Sequence, residues 1–400
     1  MGENGPVSTP TGADLPTADV AGVVDPGREA VASARRVVVK IGSSSLTAAD
    51  GHLSVEALNA LVEVLASRHA AGDQVVLVTS GAIAAAIGPL GLGSRPKDLA
   101  TAQAAASVGQ GLLVARYTQA FASHRIRVGQ VLLTAQDTLR RENYRNAQRA
   151  LERLLALGVV PIVNENDAVA TEELRFGDND RLAALVSHLV RADAMVLLTD
   201  VDGLYDGPPS RPGTTRIPVV RGPQDLEGIE VTGRGSAVGT GGMLTKLESV
   251  RIATASGTPV VLTLAANVAP ALAGDEVGTY FAPTGGHMSR RRLWVGFAAK
   301  VRGRLVLDDG AVRAVQGGLA SLLPAGVTAV EGAFHEGDPV EIVDPRGKIV
   351  ARGLSAYDAV DVPPLLGRST TDLRDDLGEG YDKPLVHRDD LVLLRRPRKP

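Results

Sequence analysis

Pro161-Ile162-Val163-Asn164-Glu165-Asn166-Asp167-Ala168-Val169-Ala170-Thr171-Glu172-Glu173-Leu174-Arg175-Phe176-Gly177-Asp178-Asn179-Asp180 crowds carboxylates and carboxamides just past an apolar run. Val159–Val163 reads as a buried strand. After the polar stretch, Leu182, Leu185, Val186 and Leu189 return at helical spacing over 179–191. A strand that ends in a polar loop and then enters a helix is where open α/β sheets place ligands, because the carboxyl edges of parallel strands form a crevice. A solvated acidic loop is the competing reading, since Asn and Asp favour turns for local reasons.

The same unit recurs on both sides of this stretch. Arg36–Ile41 is β-branched and apolar, and Val55, Leu58, Leu61, Val62 and Leu65 keep helical spacing up to Gly72. Val75–Thr79 and Ile126–Leu133 read as strands, Thr101–Ser123 and Arg145–Leu157 as helices, the last closed by Gly158. Met195–Thr199 is a strand, Gly242–Ser256 a helix, and Val260–Leu264 a further strand. Such alternation predicts a three-layer αβα sandwich around a mainly parallel sheet. Aromatics make up only 3% of the 400 residues and hydrophobic residues 44%, so small aliphatic side chains must fill this core.

Residues 1–32 are rich in Gly, Pro, Ala, Thr and Asp without sustained periodicity and read as a disordered leader. The α/β domain is expected over 33–285 and a linker over 286–299. A small β-rich domain follows over 300–385, with strands at Arg304–Leu307, Val327–Val330, Pro339–Val343 and Ile349–Gly353, and a short helix at Val312–Gln316. Residues 386–400 are expected to be a C-terminal tail, basic at its end. The absence of cysteine excludes disulfides, thiolate metal sites and a cysteine nucleophile. No apolar stretch reaches the roughly 20 residues that span a bilayer, and the first 30 residues lack a secretory pattern, so a cytoplasmic protein with no membrane partner is expected. A formal net charge of −3 gives no general attraction to nucleic acid.

Five polar clusters fall at the carboxyl ends of expected strands: Lys40-Ile41-Gly42-Ser43, Thr79-Ser80-Gly81-Ala82, Thr134, Asn164 to Asp167, and Thr199-Asp200. One alone could be a helix cap; capping does not call for Lys, Asn and Asp together at one edge. Lys40 interrupts an apolar strand and would face the sheet unless its ammonium reaches an anion at the strand end or snorkels from an edge. Gly42 would let a phosphate approach the backbone, with Ser43, Ser44 and Ser45 as donors. Gly239-Thr240-Gly241-Gly242-Met243-Leu244-Thr245-Lys246 supplies a second lysine and backbone amides at a helix start, although it can also be read as a flexible glycine-rich loop. These parts describe phosphoryl transfer by positioning and charge. The sequence holds no Walker-type P-loop, no His-Glu-x-x-His, no protein-kinase catalytic loop, and no Gly-x-Gly-x-x-Gly after the first strand.

Taken in order, Val38-Val39-Lys40-Ile41-Gly42-Ser43, Val78-Thr79-Ser80-Gly81-Ala82-Ile83, Val163-Asn164-Glu165-Asn166-Asp167-Ala168-Val169, Gly177-Asp178-Asn179-Asp180, Leu198-Thr199-Asp200 and Gly239 to Lys246 resemble the motifs of the amino-acid kinase family. Within the family they resemble the members acting on free L-glutamate, many of which append a C-terminal PUA domain. The resemblance implies the amino-acid kinase fold and ATP-dependent phosphorylation of the γ-carboxylate of L-glutamate, the first step of proline biosynthesis. It implies Lys40, Lys246 and Asp180 as catalytic residues and Ser80, Asp167 and Asn179 as substrate contacts. Lys40, Thr199, Asp200, Thr240, Gly241, Gly242, Met243, Leu244, Thr245 and Lys246 are implied as ATP contacts. Mg²⁺ would arrive with ATP, its protein ligands not identified; proline is implied as a feedback inhibitor and a homo-oligomer as the assembly. Leu244 departs from members that carry a small polar residue there. Kinases acting on aspartate, N-acetylglutamate, carbamate and UMP share the scaffold, and fold alone does not select among them. PUA domains often bind RNA, but residues 293–400 hold 15 Lys/Arg against 16 Asp/Glu and scattered aromatics, which does not favour an RNA-binding face.

Overall fold

The computed structural model describes residues 26–48, 52–134, 137, 141–169, 179–229, 242–285, 296, 301–317, 320–378, 381 and 383–393. The strands are β1 (Arg36–Ile41), β2 (Gln74–Val78), β3 (Arg127–Leu133), β4 (Val159–Glu165), β5 (Ala194–Thr199), β6 (Val219–Val220), β7 (Val260–Leu264) and β8 (Thr279–Phe281). In the C-terminal part they are β9 (Gly303–Leu307), β10 (Val327–Gly332), β11 (Pro339–Val343), β12 (Ile349–Leu354) and β13 (Leu391–Leu393). The helices are α1 (Pro26–Ala32), α2 (Ser43–Leu46), α3 (Val55–Ala70), α4 (Ala82–Ile87), α5 (Leu99–Ala122) and α6 (Arg141–Ala156). They continue with α7 (Asn179–Leu189), α8 (Met243–Ala255), α9 (Val268–Ala273), α10 (Asp309–Gln316) and α11 (Thr370–Leu377).

Strands β1 to β8 form one sheet in the order β3-β4-β2-β1-β5-β7-β8-β6, parallel throughout except where β8 runs antiparallel to β7. Alternate residues of each strand point to opposite faces, and the core divides accordingly. Val37, Val39, Ile41, Val75, Leu77, Val196 and Leu198 pack on one side with residues of α3, α5 and α9. Val38, Val76, Val78, Val163, Met195 and Leu197 pack on the other with residues of α6, α7 and α8. This is the expected αβα sandwich. Lys40 shares the face of Val38, so β1 presents it to the side that α7 and α8 cover. That placement follows from a period of two.

The C-terminal strands form a separate sheet ordered β10-β9-β11-β12-β13 around its own core of Leu305, Ile342, Val350 and Leu365. Val392 on β13 and Leu354 on β12 also join the α6–α8 side of the first core, so this module is seated on the α/β domain.

Two boundaries need correction. The expected leader ends too late, because Pro26–Ala32 is helix α1 with Arg28 and Val31 buried. Arg28 Nη1 donates to the carbonyls of Asp275 at 2.9 Å and Val277 at 2.7 Å, and Nη2 to those of Pro218 at 3.0 Å and Gly278 at 3.2 Å. Residues 1–25 lie outside the described set. The expected tail begins too early, because Leu391–Leu393 pairs with β12 as an edge strand and Val386 is fully buried. The linker expected at 286–299 lies outside the described residues apart from Gly296.

Four charge-assisted bonds to carbonyls distant in sequence make α1 part of the domain. Arg28→Met should lower the unfolding free energy by about 2–4 kcal/mol, since the carbonyls it leaves are part-buried. Urea denaturation of the full chain would show this as a lower midpoint at unchanged slope; an unmoved midpoint would mean α1 is not docked.

Candidate active site

The site is built where the parallel strands end. Lys40 is the fifth residue of β1, in register with Val78 of β2 and Leu197 of β5, and its side chain is 4% exposed. A lysine so deeply placed needs a counter-ion, because an unpaired buried charge costs several kcal/mol. Asp180 supplies it: Lys40 Nζ lies 2.5 Å from Asp180 Oδ1. Lys246, in the first turn of α8, reaches the other carboxylate oxygen, Oδ2, at 2.9 Å. A cation at a helix N-terminus opposes the helix dipole, so Lys246 is held there by Asp180. Asp180 sits in the first turn of α7, where the dipole favours a carboxylate. Burial pushes the Asp180 carboxyl up, but the ammonium groups of Lys40 and Lys246 outweigh it and hold it well below the usual carboxylate range. One residue earlier, Asn179 Nδ2 donates to Ser80 Oγ at 2.9 Å.

Ser80 follows β2 in a sharp turn. Gly81 has φ of 104°, in the left-handed region, and caps α4. Behind it α5 approaches so closely that a Cβ on Gly109 would lie 1.7 Å from the Ala82 carbonyl oxygen. At the end of β5, Thr199 is buried and donates to Asp200 Oδ1 at 2.9 Å, while Asp200 is exposed.

Lys40, Lys246 and Asp180 are thus joined directly, and Ser80 with Asn179. Asp167 lies half-buried in the turn two residues past β4. Gly242 caps α8, and Met243, Leu244, Thr245 and Lys246 form its first turn, with Leu244 65% exposed. Thr240 and Gly241 lie outside the described residues. Sequence reasoning does not single out Gln110 on α5. It is buried and accepts from Asn164 Nδ2 at 2.8 Å. A carboxamide on the inward face of an Ala-rich helix is the signal that marks it.

Two ammonium groups on one carboxylate stand at the carboxyl edge of the sheet, with the Ser80 hydroxyl and the Asn179 carboxamide on strand and helix ends at the same edge. The arrangement suits a polyanion and a small polar acceptor.

The amino acid kinase family matches residues 35–263 and the PUA domain residues 303–377. Glutamate 5-kinase of Streptomyces avermitilis is 62% identical over 370 residues, covering 92% of this chain and 99% of that protein. Glutamate 5-kinase of Thermobifida fusca is 60% identical over 373 residues, covering 92% of this chain and 95% of its own length. Among solved structures, isopentenyl phosphate kinase aligns with 62% of this chain and 100% of its own, at 18% identity and a TM-score of 0.43. On the first two grounds, a family match over more than half its length and relatives sharing three residues in five, the chain belongs to the amino acid kinase family and carries a PUA domain after its kinase domain.

Proposed function

We propose that this chain transfers the γ-phosphoryl group of ATP to the γ-carboxylate of L-glutamate, giving ADP and γ-glutamyl phosphate, the first step of proline biosynthesis. One observation carries the reading: a buried carboxylate holds two lysine ammonium groups at the edge of a parallel sheet, in a chain 62% identical to a curated Glutamate 5-kinase. An oxygen of the substrate carboxylate attacks the γ-phosphorus, the bond from that phosphorus to the β–γ bridging oxygen breaks, and its electron pair leaves on ADP. No proton moves. Lys40 and Lys246 stabilise charge on the transferring group, and Asp180 keeps both ammonium groups in place.

Ser80 and Asn179 take the acceptor's α-carboxylate end, and Asp167 its ammonium. Thr199, Asp200 and the Thr240–Lys246 segment hold the nucleotide. Magnesium bound to ATP would neutralise β- and γ-phosphate oxygens. The donor set fits an ion carried by the nucleotide: both Asp180 oxygens are occupied by ammonium groups, and among the described residues no three His, Cys, Asp or Glu side chains gather as a cage. Proline shares the α-carboxylate and ammonium of glutamate and fits as a feedback inhibitor at the same place. A cytoplasmic homo-oligomer is the accompanying reading; among the described residues no helix is long and apolar enough to cross a membrane. RNA binding by the PUA domain is not favoured on charge.

ADP release with Mg-ATP and L-glutamate, L-aspartate, N-acetyl-L-glutamate or UMP, with hydroxylamine trapping any acyl phosphate, tests the acceptor. Hydroxamate from L-glutamate alone is expected; release with a different acceptor alone would overturn the assignment. Lys40→Ala and Lys246→Ala should each lower kcat by about a hundredfold or more while the KM for ATP moves only a few-fold. Equal losses in both parameters would remove them from the transition state. Asp167→Ala should raise the KM for L-glutamate by about tenfold, the worth of one charge-assisted contact; an unchanged constant would take it off the substrate.

The Asp180 pKa gives a signed pH dependence. Its folded value is depressed, so its stabilisation is present above the unfolded value of about 3.9 and is lost as pH falls through that value toward the folded one. Urea midpoints of Asp180→Asn should therefore fall less steeply than those of the wild type below about pH 4. Parallel acid limbs would show that Asp180 does not titrate as an ion-paired group.

A further inference from the structure

The Ser80–Asn179 pair is the outer end of a longer chain of hydrogen bonds. Asn179 Oδ1 accepts from the Glu165 backbone N–H at 3.2 Å, and Asn164 Oδ1 accepts from the same N–H at 2.9 Å. With its oxygen committed there, Asn164 turns its amide nitrogen the other way and donates to Gln110 Oε1 at 2.8 Å. Asn164 is 1% exposed and Gln110 9%. Among the described residues, the buried Gln110 Nε2 has no hydrogen-bond partner. Leaving a buried amide donor unpaired is costly, and an apolar side chain would fill this helix face without that cost. The amide is also not free to turn over, because its nitrogen would then meet the Asn164 nitrogen, donor against donor. The tight seat of Gly109 against the Ala82 carbonyl fixes the height of α5 at this point.

Gln110 thus anchors Asn164 and, through it, the Glu165 N–H that Asn164 and Asn179 share; that donor holds the Asn179 oxygen inward and leaves its nitrogen toward Ser80. The last direction matters chemically. Because Asn179 presents its nitrogen to Ser80 Oγ, that oxygen acts as acceptor and the Ser80 hydroxyl hydrogen is left to donate outward, as an incoming carboxylate requires. Were Asn179 reversed, its oxygen would take the Ser80 hydrogen.

We propose that Gln110 is a positioning residue for the amino-acid substrate, acting through Asn164, the Glu165 amide and Asn179 to orient the Ser80 hydroxyl toward the substrate carboxylate. The inference rests on the reading of L-glutamate as acceptor. Its place in the molecule is behind the site: α5 carries Gln110, and the intervening residues belong to β4 and α7.

The test uses the full-length enzyme, the hydroxamate assay and separate titrations of both substrates. Gln110→Met keeps the bulk and removes the amide; the KM for L-glutamate should rise about tenfold, the effect of one buried hydrogen bond, with the KM for ATP within about twofold. Gln110→Glu keeps an oxygen for Asn164 and should recover most of the loss. Adding Gln110→Met to Ser80→Ala should produce little beyond Ser80→Ala alone, because both act on one hydroxyl. Should Gln110→Met not fold, Gln110→Asn, too short to reach Asn164, takes its place in each comparison. An unchanged glutamate KM, a parallel rise in both KM values, no recovery with Glu, or multiplicative losses in the double variant would each overturn the proposal. A wild-type enzyme giving no hydroxamate from L-glutamate would instead overturn the acceptor reading, and the two failures are told apart by that control.

Discussion

The Asp180 carboxylate, held between Lys40 and Lys246, is the contact on which the site depends. It joins three elements far apart in sequence: the end of β1, the first turn of α7 and the first turn of α8. Two cations and one anion in a space that excludes water are not stable as a closed set, since desolvation is repaid only in part by their attraction. The attraction is nonetheless strong enough to keep the end of β1 and the first turns of α7 and α8 in one fixed arrangement, which is what preorganised electrostatics requires.

Helix α7 distributes these demands by its own geometry. Successive helical residues are turned about 100° from one another, so Asn179, Asp180 and Arg181 leave the axis in three directions. Asn179 meets Ser80, Asp180 meets the two lysines, and Arg181 lies 3.9 Å from Glu248 on α8 and feels the charge of Arg352 on β12. Burial pushes the Arg181 guanidinium down, Glu248 opposes this and Arg352 adds to it. Arg352 is itself tied to Glu341 and to the Gly296 carbonyl. The PUA domain thus abuts the helix that carries both Asn179 and Asp180, and Val392 of its last strand joins the apolar core on the same side.

The sandwich was legible because its strands are β-branched runs and its long helices keep apolar spacing, both local properties. What escaped is held by distant partners. Helix α1 has no periodic face; it forms because Arg28 reaches four carbonyls some 190 to 250 residues away. Strand β8 is three residues long and reversed against β7, and β13 is an edge of three residues. In the site, Lys40 betrayed itself as a charge inside an apolar strand, and the loop after β4 by its density of polar groups. Asp180 did not stand out from its acidic neighbours except through the family motif. Gln110 sits 54 residues before the Asn164 it binds, and only packing reveals that a mid-helix glutamine belongs with the carboxyl end of β4.

The protonation states at the centre decide what kind of catalyst this can be. A carboxylate held well below its usual range by two ammonium groups is ionised at neutral pH, so Asp180 has no proton to give there and little tendency to take one. The acceptor brings no demand for proton transfer either: a γ-carboxylate with an ordinary pKa of about 4.3 is already the nucleophile at neutral pH. The leaving group departs as the terminal phosphate of ADP, a stable anion. With nothing to protonate or deprotonate, transfer of a phosphoryl group to a carboxylate is helped by where fixed charges stand, and on the proposed reading that is the part Lys40 and Lys246 take.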